Sequence, residues 1–434
     1  MKRMLFALAL AGAALPGAGQ APPTRTEVTL ESKSSGKLGT AVALPQVQGL
    51  DEAGVARDFH DVLKNDLEDA GPFAVLKSTK FPKGTEAATF KAWADLGTEW
   101  LIASKVSRTG PDQVMVALQV LDPKAGKPIF NKNYTGQEGG AILRRIAHTA
   151  SDDLVARLTG ERGVANTRIV FVRQVSREVK EIYQVDRDGG GMMALTRHGS
   201  LTISPTVAPD GRLAYITYKG GAPEIWGQKD RGGPHIKLYP VGTQPLGQCS
   251  APSWSPDGKR LAFVQSDRRG NSDIMVLDIS SGRVRRLTDS NCINTEPSWN
   301  PAGTQLAFTS DREGGPQVYL MEEDGSNVRR LTTEGTYNAS PSWSPNGAMV
   351  AYVSRFEGKF DLFVFKLGEG KAYQITTGLT SSESPSWSPD ERKLVFVSTR
   401  AGGMQLYTTD LSGSQIRKVM DAQGCQSPRW SRSR

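Results

Sequence analysis

The stretch Ala251–Phe263, APSWSPDGKRLAF, sets a tryptophan two residues ahead of a Pro-Asp-Gly corner and follows both with an apolar run. In the turn Ser255-Pro256-Asp257-Gly258, proline pre-sets φ, aspartate bonds the local backbone and glycine accepts a positive φ. That is hairpin chemistry. The stretch recurs as PSWNPAGTQLAF from Pro297, PSWSPNGAMVAY from Pro341 and PSWSPDERKLVF from Pro385. A weaker copy, PTVAPDGRLAY, begins at Pro205, and the chain closes on PRWSRSR from Pro428. Successive leading prolines lie 47, 45, 44, 44 and 43 residues apart. Periods of this size mark a repeat architecture.

Each unit reads as four short strands. In the unit from Pro252 these are Ser253–Ser255, Leu261–Val264, Asp273–Asp278 and Val284–Leu287, the last pair joined through Ser280-Ser281-Gly282. Four antiparallel strands every 40–45 residues or so describe a propeller blade. Trp254, Trp299, Trp343, Trp387 and Trp430 recur at one place in the repeat. That recurrence assigns them to the wedge between neighbouring blades rather than to carbohydrate stacking, and Val207 at the same place in the weak copy agrees. The second-strand runs IVFV from Ile169, LAYI from Leu213, LAFV from Leu261, LAFT from Leu306, VAYV from Val350 and LVFV from Leu394 count six blades. The first has no PSW strand before it, and the last PRW has no blade after it. The C-terminal strand is therefore expected to complete the first blade and latch the ring, leaving no inner edge open. The fold class is mostly β: a closed six-bladed β-propeller over residues 163–434, preceded by a small mixed α/β domain over 21–162.

The opening MKRMLFALALAGAALPGAGQ has two basic residues, a short apolar core and a small-residue tail. This is a secretory signal peptide, placed at 1–20, and nothing later resembles a membrane span. The net charge of +8 is carried by scattered residues such as Arg285-Arg286 and Arg329-Arg330. With no basic helix or RNA-binding aromatic motif, these read as solvated strand edges, and nucleic acid is not an expected partner. Of the three cysteines, Cys249 and Cys292 precede consecutive blades and are candidates for one bridge, with Cys425 remote.

In the first domain GTAVALP (Gly39–Pro45) reads as a strand. A helix follows, with Val55, Phe59, Val62 and Leu67 on one face, Asp51 as cap and Gly71-Pro72 as stop. Next come the strand FAVLK, a helix from Glu86 to Leu96 capped by Thr85, the strands EWLIASKV, QVMVALQVLD and PIFNKNY, and a long helix over Ala141–Leu158.

The chain has no G-x-S-x-G, phosphate loop or dinucleotide fingerprint. His60, His148, His198 and His235 show no ligand spacing. DRDGGG at Asp186–Gly191 is faintly like a calcium loop but lacks the later acidic ligands and suits a turn between third and fourth strands. The residues favour a binding protein over an enzyme, with no cofactor and no metal.

The order of signal peptide, small α/β domain and six PSWSPDG-type blades resembles the periplasmic TolB family of the Tol-Pal system. The segments HTASDDLVARLTGERGVANTRIVFV (His148–Val172) and DSNCINTEPSWNP (Asp289–Pro301) are the most specific parts of the resemblance. Ala302 in place of the turn Asp, Glu391 in place of the turn Gly, and the cysteines depart from it. The resemblance implies a non-enzymatic adaptor that binds the lipoprotein Pal at the propeller mouth and a TolA-like protein through its N-terminal region, with other outer-membrane proteins as further candidate partners. Such an adaptor helps maintain the outer membrane and its constriction at division. The alternative is an exported propeller that binds a small ligand in its channel, or that serves as a sensor or peptidase-associated module. The expected Pal surface lies on loops ahead of the innermost strands: Gln248, Ser250, Asn294, Thr295, Glu296, Tyr337, Asn338, Ser382, Glu383 and Gln426. Within it, Glu296 either meets a basic or amide group of the partner or ties its own loop to neighbouring amides. Val28, Thr29 and Leu30 are the expected TolA contact.

Overall fold

The computed structural model describes residues 37–50, 52–77, 82, 84–137, 139–240, 247–356, 358–378 and 380–431. The signal peptide and the candidate TolA contact at Val28, Thr29 and Leu30 lie outside the described residues, as does the Asp51 cap.

The first domain runs β1 (Leu38–Val42), β2 (Gln46–Gln48), α1 (Glu52–Asp69), β3 (Phe73–Val75), α2 (Phe90–Asp95), β4 (Trp100–Gly110), β5 (Gln113–Asp122), β6 (Lys127–Gln137) and α3 (Gly140–Thr159). Its sheet has the order β3-β1-β4-β5-β6, with β2 also on β4; β1 pairs in parallel with β3 and β4, and β4-β5-β6 is an antiparallel meander. α1 and α3 cover one face, where Phe59, Val62, Leu63 and Leu67 of α1 meet Ile146, Ala150 and Leu154 of α3 over Val106, Val116 and Val120. The helix expected over Glu86–Leu96 is shorter than its pattern. A 3₁₀ turn at Ala87–Thr89 leads into the six residues of α2, and no Thr85 cap forms. The Trp93 indole donates to Gly84 O instead, anchoring the segment by its side chain.

Six four-stranded sheets follow. Blades 2 to 6 are continuous in sequence, their innermost strands being Thr202–Val207, Cys249–Trp254, Asn294–Trp299, Asn338–Trp343 and Ser382–Trp387. Blade 1 combines Arg168–Gln174, Lys180–Asp186 and Met193–Ala194 with the C-terminal strand Cys425–Ser431, which pairs antiparallel with Arg168–Gln174. The latch is as the repeat count requires.

The PSW signature now has a residue-by-residue reason. Each tryptophan lies in a core that joins its own blade to the preceding one. Trp299 sits among Ala262, Ile274 and Val276 on one side and Leu306, Phe308 and Tyr319 on the other. Trp430 does the same between Val395 and Leu406 of blade 6 and Ile169 and Phe171 of blade 1. The small hydroxyl residue before it ties blades along the backbone: Thr206, Ser298 and Ser386 accept the N–H of Trp254, Trp343 and Trp430 in the next blade. The proline follows a residue at positive φ in every blade, namely Ser204, Ala251, Glu296, Ser340, Ser384 and Ser427, with φ between 47° and 57°. The strand register slips at each of these sites. They are β-bulges, and proline has no N–H to waste at the unpaired position.

Glu391 stands where other blades place Gly258, Gly303 and Gly347, and it keeps their left-handed φ, at 65°. The turn is dictated by the hairpin, and the side chain bears the strain.

All three cysteines are free. No Cys249–Cys292 bridge forms: the buried Cys249 Sγ donates to Pro223 O, 3.1 Å away, while Cys292 Sγ lies beside Ser290 and Asn294. Cys249 and Cys425 open their innermost strands, at the place held elsewhere by Thr202, Asn294, Asn338 and Ser382, all of them buried. They are small packing residues of the blade.

Trp430→Ala is expected to destabilise the protein by roughly 3–5 kcal/mol, the usual cost of emptying a tryptophan-sized site. It removes the blade 6–blade 1 wedge together with the Trp430 indole bond to Thr167 Oγ1. Chemical unfolding followed by tryptophan fluorescence measures this, and wild-type stability would show that the latch carries no load.

Candidate functional site: the channel mouth and the seam between domains

From the bulge onward, the six innermost strands surround a polar cavity of about 280 Å³, lined by the bulge residues, by prolines that follow them and by Arg429; of the residues expected at the mouth, Glu296 lines it. Except for Gln248 and Tyr337, each one residue ahead of its strand, the residues expected in loops belong to these strands. The strands begin earlier than the turn chemistry suggests, because the bulge interrupts the alternating pattern without ending the pairing. Asn294, Asn338 and Ser382 are buried and bonded inward. Asn294 Nδ2 donates to Ser272 O and Ser290 Oγ, and its Oδ1 accepts from Arg312. Asn338 donates to Gln317 Oε1 and Glu334 O, and Ser382 bonds Ser398. Ser250 and Gln248 are exposed, and Thr295, Glu296, Tyr337, Glu383 and Gln426 are partly so. Tyr337 packs edge-on against Phe360, and Gln426 accepts from Lys180 Nζ at 2.7 Å.

Glu296 crosses from blade 4 to blade 5. Its carboxylate accepts from Thr309 Oγ1 at 2.9 Å, and from Ser340 N and Ser340 Oγ, both at 2.7 Å. Burial, aided by the like charge of Glu296, pushes the Glu383 carboxyl up. Burial draws the Arg429 guanidinium down, against the pull of Glu296. Glu296 and Arg429 thus line the cavity, with the partly buried Glu383 near enough to feel the charge of Glu296.

A second polar assembly lies in the seam, and the sequence reading missed it. The end of α1 carries Asp66 and Asp69, and no basic residue stands in its last turn. Acids there oppose the helix dipole. The propeller supplies the missing cations. The buried Arg187, just after the third strand of blade 1, reaches Asp66 Oδ1 at 3.3 Å and Asp69 Oδ2 at 2.8 Å. Lys393 and Arg417 of blade 6 meet Asp69 Oδ1 at 2.7 and 2.8 Å, and Arg392 donates to Ala70 O. Burial would raise the Asp69 carboxyl, but Arg187, Lys393 and Arg417 hold it below its ordinary range. The signal was present in NDLEDAG, three acids closing a helix without compensation.

His148 on α3 is 2% exposed, and its Nδ1 lies 2.7 Å from Asp66 Oδ2. Burial would lower its imidazole, but the Asp66 hydrogen bond and the charges of Asp66, Asp188 and Asp186 lift it above the ordinary value. His198 and His235 flank the Tyr215 hydroxyl, each at 2.9 Å.

Fold and seam together define a two-domain protein in which a small α/β unit is locked by charge onto a closed six-bladed propeller. Comparison with known proteins specifies it further. Residues 155–434 match the model of the TolB beta propeller domain, and residues 27–129 that of the TolB amino-terminal domain. The Tol-Pal system protein TolB of Anaeromyxobacter dehalogenans (strain 2CP-C) is 35% identical over 309 residues, 69% of this chain and 68% of the relative. A TolB homolog from Chlorobium luteolum is 30% identical over 291 residues, 65% of this chain and 64% of its own length. The crystal structure of TolB from Acinetobacter baumannii shares the fold with a TM-score of 0.76, at 24% identity, over 91% of this chain and 96% of that one. The chain belongs to the TolB family of the Tol-Pal system. No helix among the described residues is long and apolar enough to cross a membrane.

Asp69→Asn is expected to cost about 3 kcal/mol, since it leaves the buried Arg187 with Asp66 alone. A depressed carboxyl contributes stability that is complete above its unfolded pKa of about 3.9 and is lost as pH falls through the folded value. Unfolding curves of variant and wild type should therefore differ at neutral pH and converge only as pH falls from about 3.9 through the depressed folded value. A gap that persists in acid would remove the charge as its cause.

Proposed function

We propose that this chain is a non-enzymatic periplasmic adaptor of a Tol-Pal-type system. The channel mouth receives the peptidoglycan-associated lipoprotein Pal, and the N-terminal segment, through Val28, Thr29 and Leu30, meets a TolA-like protein. The pairing supports outer-membrane integrity and constriction at division. The observation that carries the reading is the half-dehydrated carboxylate pair at the mouth. Glu296 is already bonded across two blades, whereas the Glu383 carboxyl is raised by burial and by its neighbour. A folded partner that brings amide or basic groups to Glu383 relieves that repulsion and restores the lost hydration. Gln248, Ser250, Thr295, Tyr337 and Gln426 offer the polar rim of such a contact. Asn294, Asn338 and Ser382 contribute from within, by fixing the backbone that presents it.

Glu383→Lys is expected to weaken Pal binding by roughly 2–5 kcal/mol, the range for a buried interfacial charge pair, with thermal unfolding of the free protein nearly unchanged. Titration calorimetry against Pal decides; wild-type affinity would move the site off this mouth. Glu296→Lys should instead lower both affinity and melting temperature, because it also breaks the tie to Ser340.

For the other end, deletion of residues 22–30 should abolish binding of the TolA-like protein in a pull-down while leaving Pal affinity intact. Retained binding would refute the assignment of Val28, Thr29 and Leu30.

A further inference from the structure

The seam contains an arrangement that hydrogen bonding leaves unfinished. His148 Nε2 is buried and has no hydrogen-bond partner among the described residues. It faces Asp188 Oδ2 at 3.8 Å and Asp186 Oδ2 at 4.0 Å, both from the propeller. These three ligand atoms lie within 4.8 Å of one another. The opposite ring nitrogen is held by Asp66, which is itself 1% exposed.

We propose that His148, Asp186 and Asp188 form a divalent transition-metal site, with zinc the ion that suits it, joining the first domain to blade 1. Four observations meet there. Zinc at roughly 2.0–2.2 Å from nitrogen and oxygen ligands sets them about 3.4 Å apart, so His148 Nε2 needs to close on each carboxylate by only about half an ångström, and the two carboxylates on each other by no more than about 1.4 Å. A carboxylate on the far nitrogen of a ligating histidine orients the ring and raises its basicity, and Asp66 occupies that position. One imidazole and two carboxylates leave a fourth position open for water, and the imidazole disfavours calcium and magnesium, which take oxygen ligands. Finally, the turn Asp186–Gly191 is shaped around the carboxylates. Asp186 N bonds Gly190 O, Asp188 Oδ1 accepts from Gly190 N, and a Cβ at Gly191 would stand 2.9 Å from Asp186 Oδ2, the oxygen offered to the ion.

Among the neighbouring arginines, Arg144 touches an oxygen offered to the ion, Asp188 Oδ2, which the metal would share with it. Arg144 Nη2 contacts both oxygens of Asp188 at 2.7 and 2.8 Å, and Arg168 Nε lies 3.6 Å from Asp186 Oδ1, leaving Asp186 Oδ2 toward the histidine. Arg187 faces Asp66 and Asp69. They temper the repulsion between Asp186 and Asp188 as an outer shell does. Since His148 comes from α3 and the two aspartates from blade 1, the ion would clamp the seam.

The test is calorimetric titration of zinc chloride into the untagged chain at neutral pH, repeated with cobalt(II) as a spectroscopic probe. One equivalent should bind. His148→Gln and Asp188→Asn should each weaken the dissociation constant by roughly 100-fold or more, since even outer-shell changes cost 10–100-fold. Cys292→Ser should leave it unchanged, and the cobalt spectrum should lack thiolate charge transfer. Zinc should raise the melting temperature of wild type and not of Asp188→Asn. If His148→Gln fails to fold, Asp188→Asn decides, because its turn is partly exposed and its retained carbonyl oxygen still accepts from Arg144. Absence of saturable binding, or affinity undiminished in Asp188→Asn, overturns the site.

Discussion

The pairing of Cys425–Ser431 with Arg168–Gln174 is the contact on which the rest of the protein depends. A ring of blades has no stable partial form in which every inner face is covered, because each blade is packed by the tryptophan of the next. Trp254 covers blade 2, Trp299 blade 3, Trp343 blade 4, Trp387 blade 5 and Trp430 blade 6. At the joint of blade 1 with blade 2 the wedge place on the innermost strand is held by Val207, and Trp226 from the third strand of blade 2 packs against the same cluster of Val170, Val172 and Ile182. The joint made by the weakest copy of the repeat therefore adjoins the joint made by the chain terminus. Closure through the hydrogen-bonded pairing of Cys425–Ser431 with Arg168–Gln174 places both joints on blade 1, so the contact at Val207 is supported from its other side.

The same closure makes the seam between domains possible. Arg187 belongs to blade 1, while Lys393 and Arg417 belong to blade 6, and all three converge on Asp69. Two blades that the latch joins thus hold one helix end. Isolated surface pairs of this kind would be worth little. Here Arg187 and Asp66 are almost wholly buried, so the pairs specify which orientation of the first domain the propeller accepts, since any other leaves charge without a partner.

The blades were legible from the sequence because their signals are periodic and local. Turn glycines, apolar second strands and the wedge tryptophan all act within one unit, and repetition averages out the exceptions, Val207 and Glu391. The orphaned strands at Ile169 and Pro428 gave closure by simple complementarity. The seam was less legible, since Asp66, Asp69, His148, Arg187 and Lys393 are brought together from separate elements and no spacing rule joins them. Only the uncompensated acids ending α1 hinted that a cationic surface was required. Helix α2 is shorter than its composition predicts because Trp93 reaches back to Gly84, a contact that the pattern of residues does not reveal.

The channel mouth shows why alternation misled at one place. In an unbroken strand, residues an odd number apart lie on opposite faces. Asn294 and Trp299 are five apart, yet both are buried, and Pro297 is buried between them. The extra residue of the bulge, Glu296, makes this possible by resetting the alternation, and every blade repeats the device one residue before its proline. A residue preceding proline is normally extended, so the left-handed φ at each bulge costs of order 1–3 kcal/mol. The ring holds all six because straightening any one would turn either the first residue of the strand or its wedge residue out of the core. The strain is thus localised in the half-turn of backbone that faces the cavity, and it brings Glu296 to the rim, where it can reach the next blade.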